Sequence, residues 1–188
     1  MTPPRQRTFI AHVEDRPGVL NRVISLFRRR AYNIDSLNVA RTERPSISRI
    51  TLVVQADERE AQLLEANLYK LINVLYVEHI TEQGQVAREL ALIKVRANEE
   101  SRSKLLQLCE VFRARAIDVT PTSVMVELTG TPDKIDGLIE VLRPQGIIEL
   151  VRTGAVAMAR GAESALTGLV DAPVALPERE WLTSVPGK

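Results

Sequence analysis

Two successive β-α-β-β-α-β patterns predict an α+β protein of two ferredoxin-like domains. Three observations carry this. Hydrophobic periodicity switches between two and three-to-four residues in that order within about the first eighty residues. The same order returns in the second half, and the two halves leave their first helix through similar segments, Phe27-Arg28-Arg29-Arg30-Ala31-Tyr32-Asn33-Ile34-Asp35 and Phe112-Arg113-Ala114-Arg115-Ala116-Ile117-Asp118. This is a degenerate internal repeat.

The first strand is the alternating segment from Phe9 to Val13, and it leads into Glu14-Asp15-Arg16-Pro17-Gly18-Val19-Leu20. Leu20, Val23, Ile24 and Phe27 then recur at helical spacing, with Asn21, Arg22, Ser25 and Arg28 to Arg30 on the other side or at the end. That is an amphipathic helix whose basic end complements its dipole. Ala31–Val39 and Ile47–Val54 read as strands around an Arg44-Pro45 turn; a helix from Glu58 to Leu71 carries Ala61, Leu64, Leu68 and Leu71, and Val74–Ile80 is the fourth strand. In the second half Leu90–Val95 is strand-like, Leu105, Leu108, Cys109 and Phe112 mark a helix, and Ser123–Leu128 is a strand. Thr131 caps a helix from Pro132 to Leu142, and Ile147–Val151 closes the order. The expected domains are residues 8–81 and 88–160, with a linker at 82–87 where Thr81 to Gln85 breaks the strand pattern. So short a connection is a plausible relay between the halves. Residues 161–188, with Pro173, Pro177, Pro186 and Trp181, read as an extended or mobile tail, and Trp181 as an anchor or a packed surface residue.

The segment Asp15 to Leu20 points to a ligand. Pro17 presets a helical first turn, Gly18 adds no side chain, and the first helical amides face outward with the positive end of the dipole. A small carboxylate fits such a turn; a plain helix start uses the same residues. The corresponding place in the second half, Ala97-Asn98-Glu99-Glu100, is acidic and lacks glycine, so it repels a carboxylate. The first half reads as a receptor and the second as a scaffold or docking module.

Composition narrows the function. The chain has 188 residues, 25 Lys and Arg against 24 Asp and Glu, and one cysteine. A net charge of +1 argues against nucleic acid, and the central strands offer only Phe9 as a base-stacking aromatic. Cys109 excludes an intramolecular disulfide and reads as a buried small hydrophobe. Met1 to Arg7 is polar, no apolar run approaches the ~20 residues that span a bilayer, and a cytoplasmic protein is expected. No HExxH, CxxC, Walker or GxSxG pattern is present, and His12 and His79 stand on separate strands, so no catalytic residue and no metal site is assigned.

The motifs together resemble a known family. Val13 to Leu20 resembles the ACT domain, an amino-acid-sensing module. With Arg30 to Leu37, Ser48-Arg49-Ile50-Thr51, Lys70-Leu71-Ile72-Asn73-Val74 and Ile117-Asp118-Val119-Thr120-Pro121, it resembles the small, regulatory subunit of acetolactate synthase (acetohydroxyacid synthase). The likeness covers about residues 8 to 160 and makes the halves an ACT domain and an ACT-like domain. It implies a non-catalytic subunit that activates a separate catalytic large subunit, which would carry thiamin diphosphate, Mg and FAD and join two pyruvates into 2-acetolactate and CO2. It also implies feedback inhibition by L-valine in branched-chain amino acid biosynthesis, and homodimers formed by joining ACT sheets side by side. The effector would lie at that seam against Asp15, Pro17, Gly18, Val19 and Leu20 of one chain and Asn33 and Ile34 of the other.

The residue chemistry is consistent with that ligand. Amides of Gly18, Val19 and Leu20 suit the carboxylate, Asp15 and Asn33 the ammonium, and an apolar pocket the isopropyl group. Leucine and isoleucine present the same groups. Ala31 stands where the family commonly has glycine, so a positive φ there would strain the turn that orients Asn33. A free-standing amino-acid-sensing ACT protein acting on another enzyme is the second reading, and an RNA-binding pair of ferredoxin-like domains a third.

Overall fold

A computed structural model describes residues 3–81 and 84–161. The first half runs β1 (Arg5–Glu14), α1 (Val19–Arg29), β2 (Ile34–Arg41), β3 (Ile47–Ala56), α2 (Glu58–Tyr69) and β4 (Val74–His79). Its strands form an antiparallel sheet in the order β2-β3-β1-β4. The second half runs β5 (Gln85–Arg96), α3 (Glu99–Phe112), β6 (Arg115–Val119), β7 (Ser123–Gly130), α4 (Pro132–Leu142) and β8 (Ile147–Arg152), with the matching order β6-β7-β5-β8. A short β9 (Val156–Ala159) pairs with the start of β5.

Alternation along the strands explains the layers. Phe9, Ala11 and Val13 of β1 and Ile50, Leu52 and Val54 of β3 share one face, which meets Val23 and Phe27 of α1 and Leu64 and Leu68 of α2 in one core. Each large side chain so buried contributes about 1.5–3 kcal/mol. The second core repeats this with Ile93, Val95, Leu105, Cys109, Val126 and Leu138. Cys109 is buried, and burial raises its thiol pKa.

Helix ends follow their sequence signals. Asp57 and Glu60 form a capping box on α2, Asn98 and Ser101 another on α3, and the Thr131 hydroxyl accepts the Lys134 amide ahead of Pro132 on α4. Both first helices exit alike: the Tyr32 amide returns to the Phe27 carbonyl at 3.1 Å, and the Ala114 amide to that of Cys109 at 2.7 Å. Both exits also carry a left-handed non-glycine residue, Ala31 at φ 56° and Arg113 at φ 53°.

Several expectations need correction. The buried face of α1 is Val19, Val23, Leu26 and Phe27; Leu20 and Ile24 are 37% and 38% exposed. The periodicity allowed either stripe, and the helix turns the one containing Leu26 toward the sheet. The second strand begins at Ile34, since Ala31 to Asn33 are spent on the helix exit, and α2 stops at Tyr69, leaving Leu71 half-buried beyond its end. β5 starts at Gln85, so the later part of the expected linker is strand; Glu82 and Gln83 lie outside the described residues. β9 was unforeseen, because four residues are too few for a period to show. Trp181 and the rest of the expected tail beyond Gly161 lie outside the described residues.

The first sheet's other face meets the second half. Ile10 and Ile80 pack with Ala157, flanked by Ala87 and Ala159. Arg49 donates to the Ala157 carbonyl, and the Ser36 hydroxyl accepts the Ala155 amide at 2.9 Å. Beside these contacts is a cavity of about 700 Å³ lined by Asp35, Ser36, Glu89, Asp133, Asp136 and Arg152 among others. No described helix is long and apolar enough to cross a membrane.

Candidate functional site

β1 and α1 meet at the Glu14–Leu20 turn, which neighbouring loops hold in place. The Glu14 amide donates to the Asn73 carbonyl at 2.9 Å, and the Asp15 amide to that of Ser46 at 2.8 Å. Side chains brace the same place: Asn73 Nδ2 donates to Glu14 Oε2 at 2.7 Å, Arg22 Nη1 to Asn73 Oδ1 at 2.6 Å, and Arg16 Nε lies 3.3 Å from Glu14 Oε2. The network ties the strand end, the first turn of α1 and the entry to β4 into one support.

Gly18 then reverses the chain at φ 83° and ψ −8°. A Cβ there would meet nothing within 4 Å, so glycine serves the backbone angle and not a shortage of space. Its carbonyl accepts the Arg22 amide at 3.1 Å, while the Val19 amide turns back to the Arg16 carbonyl at 3.4 Å. The amides of Gly18, Leu20 and Asn21 have no acceptor among the described residues. Two of the three amides assigned to a carboxylate, Gly18 and Leu20, are therefore open, and Val19 is weakly engaged.

Comparison of the helix starts is informative. α2, α3 and α4 each have a side-chain cap and at least one acid in the first turn: Glu58 and Glu60, Glu99 and Glu100, and Asp133. α1 has neither. Its 11 residues therefore begin with free donors and an uncompensated positive dipole end, the conditions that favour an anion.

The remaining expected residues surround this turn in different ways. Asp15 lies 3.2 Å from Arg41 Nε across an exposed ion pair, so an incoming ammonium would compete with that guanidinium. Val19 and Leu20 divide: the Val19 side chain enters the core, and Leu20 stays half-exposed. Ile34 packs partly against the first core. Asn33 is held outward, its Nδ2 donating at 3.3 Å to Asp35 Oδ1, whose other oxygen accepts Gln55 Nε2 at 2.8 Å. Ala31 at φ 56° has the backbone that glycine would adopt without strain.

Both histidines serve packing. His12 is 1% exposed on the face of the first sheet that meets the second half, its ring 6.3 Å from that of Tyr76, and its Nδ1 has no hydrogen-bond partner among the described residues. Burial, then the nearby Arg49 charge, lowers its pKa to about 4. His79 stacks on Phe9 with ring centroids 4.6 Å apart, and burial also lowers its pKa. Among the described residues no group of three His, Cys, Asp or Glu side chains could hold a metal.

Sequence reasoning gave no role to Arg22, Arg41, Ser46 or Asn73. Asn73 belonged to the quoted Lys70–Val74 motif and could have been suspected; single arginines on a helix face and a strand end carry no signal.

Comparison with known proteins places this geometry in a family. A family profile described as an AHAS small subunit-like ACT domain matches residues 9–76, and one described as the small subunit of acetolactate synthase matches residues 88–161. A probable acetolactate synthase small subunit from Archaeoglobus fulgidus is 47% identical over 83% of this chain and 98% of its own length. The acetolactate synthase small subunit of Bacillus subtilis is 45% identical over 84% of this chain and 92% of its own. The crystal structure of the Thermotoga maritima small subunit covers 85% of this chain and 99% of its own, with 36% identity and a TM-score of 0.77.

Proposed function

This chain belongs to the small-subunit family of acetolactate synthase, and from that premise we propose that it binds L-valine at the Asp15–Leu20 turn and regulates a separate catalytic large subunit. The observation that carries the ligand assignment is the uncapped, acid-free start of α1 beside three capped, acidic ones. The valine carboxylate would take the open amides of Gly18 and Leu20, and its ammonium would meet Asp15 after displacing Arg41. Asn33, turning its carbonyl oxygen to the ammonium, would complete the site from a second chain. Exposed Leu20 and Ile24 supply apolar surface for the isopropyl group and for the partner chain.

The reading makes this a non-catalytic subunit, with residues 8–81 as the receptor and 88–160 as the module facing the catalytic subunit. Thiamin diphosphate, Mg and FAD, and the joining of two pyruvates, belong to that partner. Valine acts by preferring one state of the assembled enzyme. A free-standing sensor is disfavoured by the match of residues 88–161 to the small-subunit profile.

Calorimetric titration of the full chain with L-valine, with D-valine as control, tests the receptor. Saturable, stereoselective binding is expected; heats that are equal for the two enantiomers would refute the site. Copurification with a thiamin-diphosphate enzyme, and loss of that enzyme's activity on adding valine, tests the client.

A further inference from the structure

The two halves meet through the packing of Ile10 and Ile80 on Ala157, through the hydrogen bond from Arg49 to the Ala157 carbonyl, and through a small polar contact at Ser36 on the strand that follows Asn33. We propose that Ser36, through its contact with Gly154 and Ala155, is the positioning residue that couples occupancy of the amino-acid site to the second domain. The proposal rests on the amino-acid-binding reading and names how that site is read out.

The path begins at Asn33, whose amide group donates to Asp35, and Ser36 is the next residue of β2. The pairing of β2 with β3 shifts register between Ile34 and Ser36. A β-bulge of this kind sets where the following side chain points, so a change at Asn33 and Asp35 alters the aim of Ser36. The Ser36 hydroxyl accepts the Ala155 amide at 2.9 Å. It also fills the space where a Gly154 side chain would be: an added Cβ would collide with Ser36 Oγ, and Gly154 has a φ of 77° that other residues rarely adopt.

The receiving end is firmly held by the second half. The Thr153 amide donates to the Leu90 carbonyl at 3.1 Å, and the Leu90 amide to Thr153 Oγ1 at 3.1 Å. Arg152 binds the buried Glu89 on β5 and, at 2.6 Å, Asp136 on α4. A displacement of residues 154–155 is therefore passed to β5, β8 and α4 together. The contact itself is light, a single hydrogen bond, and it borders the cavity of about 700 Å³, which gives Ser36 room to move. Thr81 and Ile80 lack that freedom, since Thr81 Oγ1 accepts the Thr8 amide at 2.8 Å and Ile80 is buried.

The test compares wild type, Ser36→Ala and Gly154→Ala for valine affinity of the free chain, activation of the catalytic subunit, and valine inhibition of the assembled enzyme. Ser36→Ala removes a single oxygen, and a thermal melt confirms its fold; Gly154→Ala attacks the contact from the other side. For both, the valine concentration for half-inhibition should rise about fivefold or more, the lower range of allosteric couplings, while affinity stays within about twofold and activation is retained. A folded Ser36→Ala chain that is inhibited at the wild-type valine concentration overturns the coupling. Loss of affinity in step with inhibition also overturns it, by making Ser36 part of the binding site. A wild-type chain that fails to bind valine is a different failure, seen before any variant is compared, and it removes the effector reading itself.

Discussion

Replacing Gly18 by Asp and, separately, by Asn isolates the charge of the proposed anion site. Both side chains must adopt the φ of 83° found at Gly18, which costs an ordinary L residue about 1–2 kcal/mol, and less for these two because short polar side chains tolerate that region. Neither meets a steric obstacle at Cβ, because nothing lies within 4 Å. The backbone cost is thus nearly common to the pair, and the difference between them is one negative charge beside the bound carboxylate. Two unit charges ~4 Å apart repel by about 1 kcal/mol in water and by about 4 kcal/mol near a protein surface. An exposed turn belongs toward the lower value, so about 1–2 kcal/mol is expected, a five- to thirtyfold weaker Kd for Asp than for Asn. Calorimetric titration with L-valine at low and high salt reads this directly, and added salt should narrow the gap. Equal valine affinities for Gly18→Asp and Gly18→Asn would refute an anion site on these amides. Activation of the catalytic subunit should survive in both variants.

Other perturbations address the rest of the site and its frame. Asn33→Ala should weaken valine binding by about tenfold, the loss of a hydrogen bond to a charged group, and leave the melting temperature nearly unchanged, because the hydrogen bond from its side chain to Asp35 is exposed; unchanged affinity would remove Asn33 from the site. Ala31→Gly should stabilise the chain by about 0.5–1 kcal/mol, since relief of the left-handed φ of 56° exceeds the added entropy of the unfolded glycine; denaturant unfolding that shows a loss would mean the strain is absent. His12, with its folded pKa lowered to about 4 by burial and Arg49, takes up a proton in the unfolded chain first. Stability should therefore fall as pH drops from about 6.5 toward 4 and level off below, a loss that His12→Gln should lack. Arg49, Arg44, Glu43 and Tyr76 surround the same ring and stay in place in that comparison.

Much of the fold was legible because both kinds of element show their period. The strands alternate, the helices repeat every three or four residues, and Thr131-Pro132 announces its helix; each of these appears in the structure. Less legible was the rotation of α1, since Leu20, Val23, Ile24 and Phe27 satisfy a helical stripe as well as Val19, Val23, Leu26 and Phe27 do. Only tertiary packing, which joins Val19, Val23, Leu26 and Phe27 to the core of β1 and β3, chooses between them. β9 was hidden for a different reason: its Val156 and Met158 face outward and Ala157 inward, too brief an alternation to separate from loop. In the candidate site the backbone could be anticipated from Pro17-Gly18, whereas its supports could not. Asn73 lies 59 residues from Glu14, and the Arg41 that pairs with Asp15 lies on the far strand end, so nothing local in the chain foretold either contact.

The proposed division of the repeat into a receptor and a scaffold rests on the helix ends. The two domains share strand order and helix exits, and their cores are built from corresponding positions. They differ where the first helix begins. In the second half Asn98 and Ser101 satisfy two backbone amides reciprocally, and Glu99 and Glu100 add negative charge at the dipole's positive end, so the chain itself supplies part of what an anion would offer and repels one that approaches. Stability favours that arrangement by about 1 kcal/mol per cap. α1 forgoes it, and forgoes a first-turn acid as well, while Glu14, Asn73 and Arg22 hold the bare turn in place from behind. A helix start left uncapped yet braced can persist with its exposed amides turned to solvent, and in the proposed function a ligand carboxylate takes the place of that solvent. On this reading, ligand binding supplies to α1 what Asn98 and the two glutamates supply permanently to α3, and the divergence of a repeated fold into sensor and scaffold needs no change in topology.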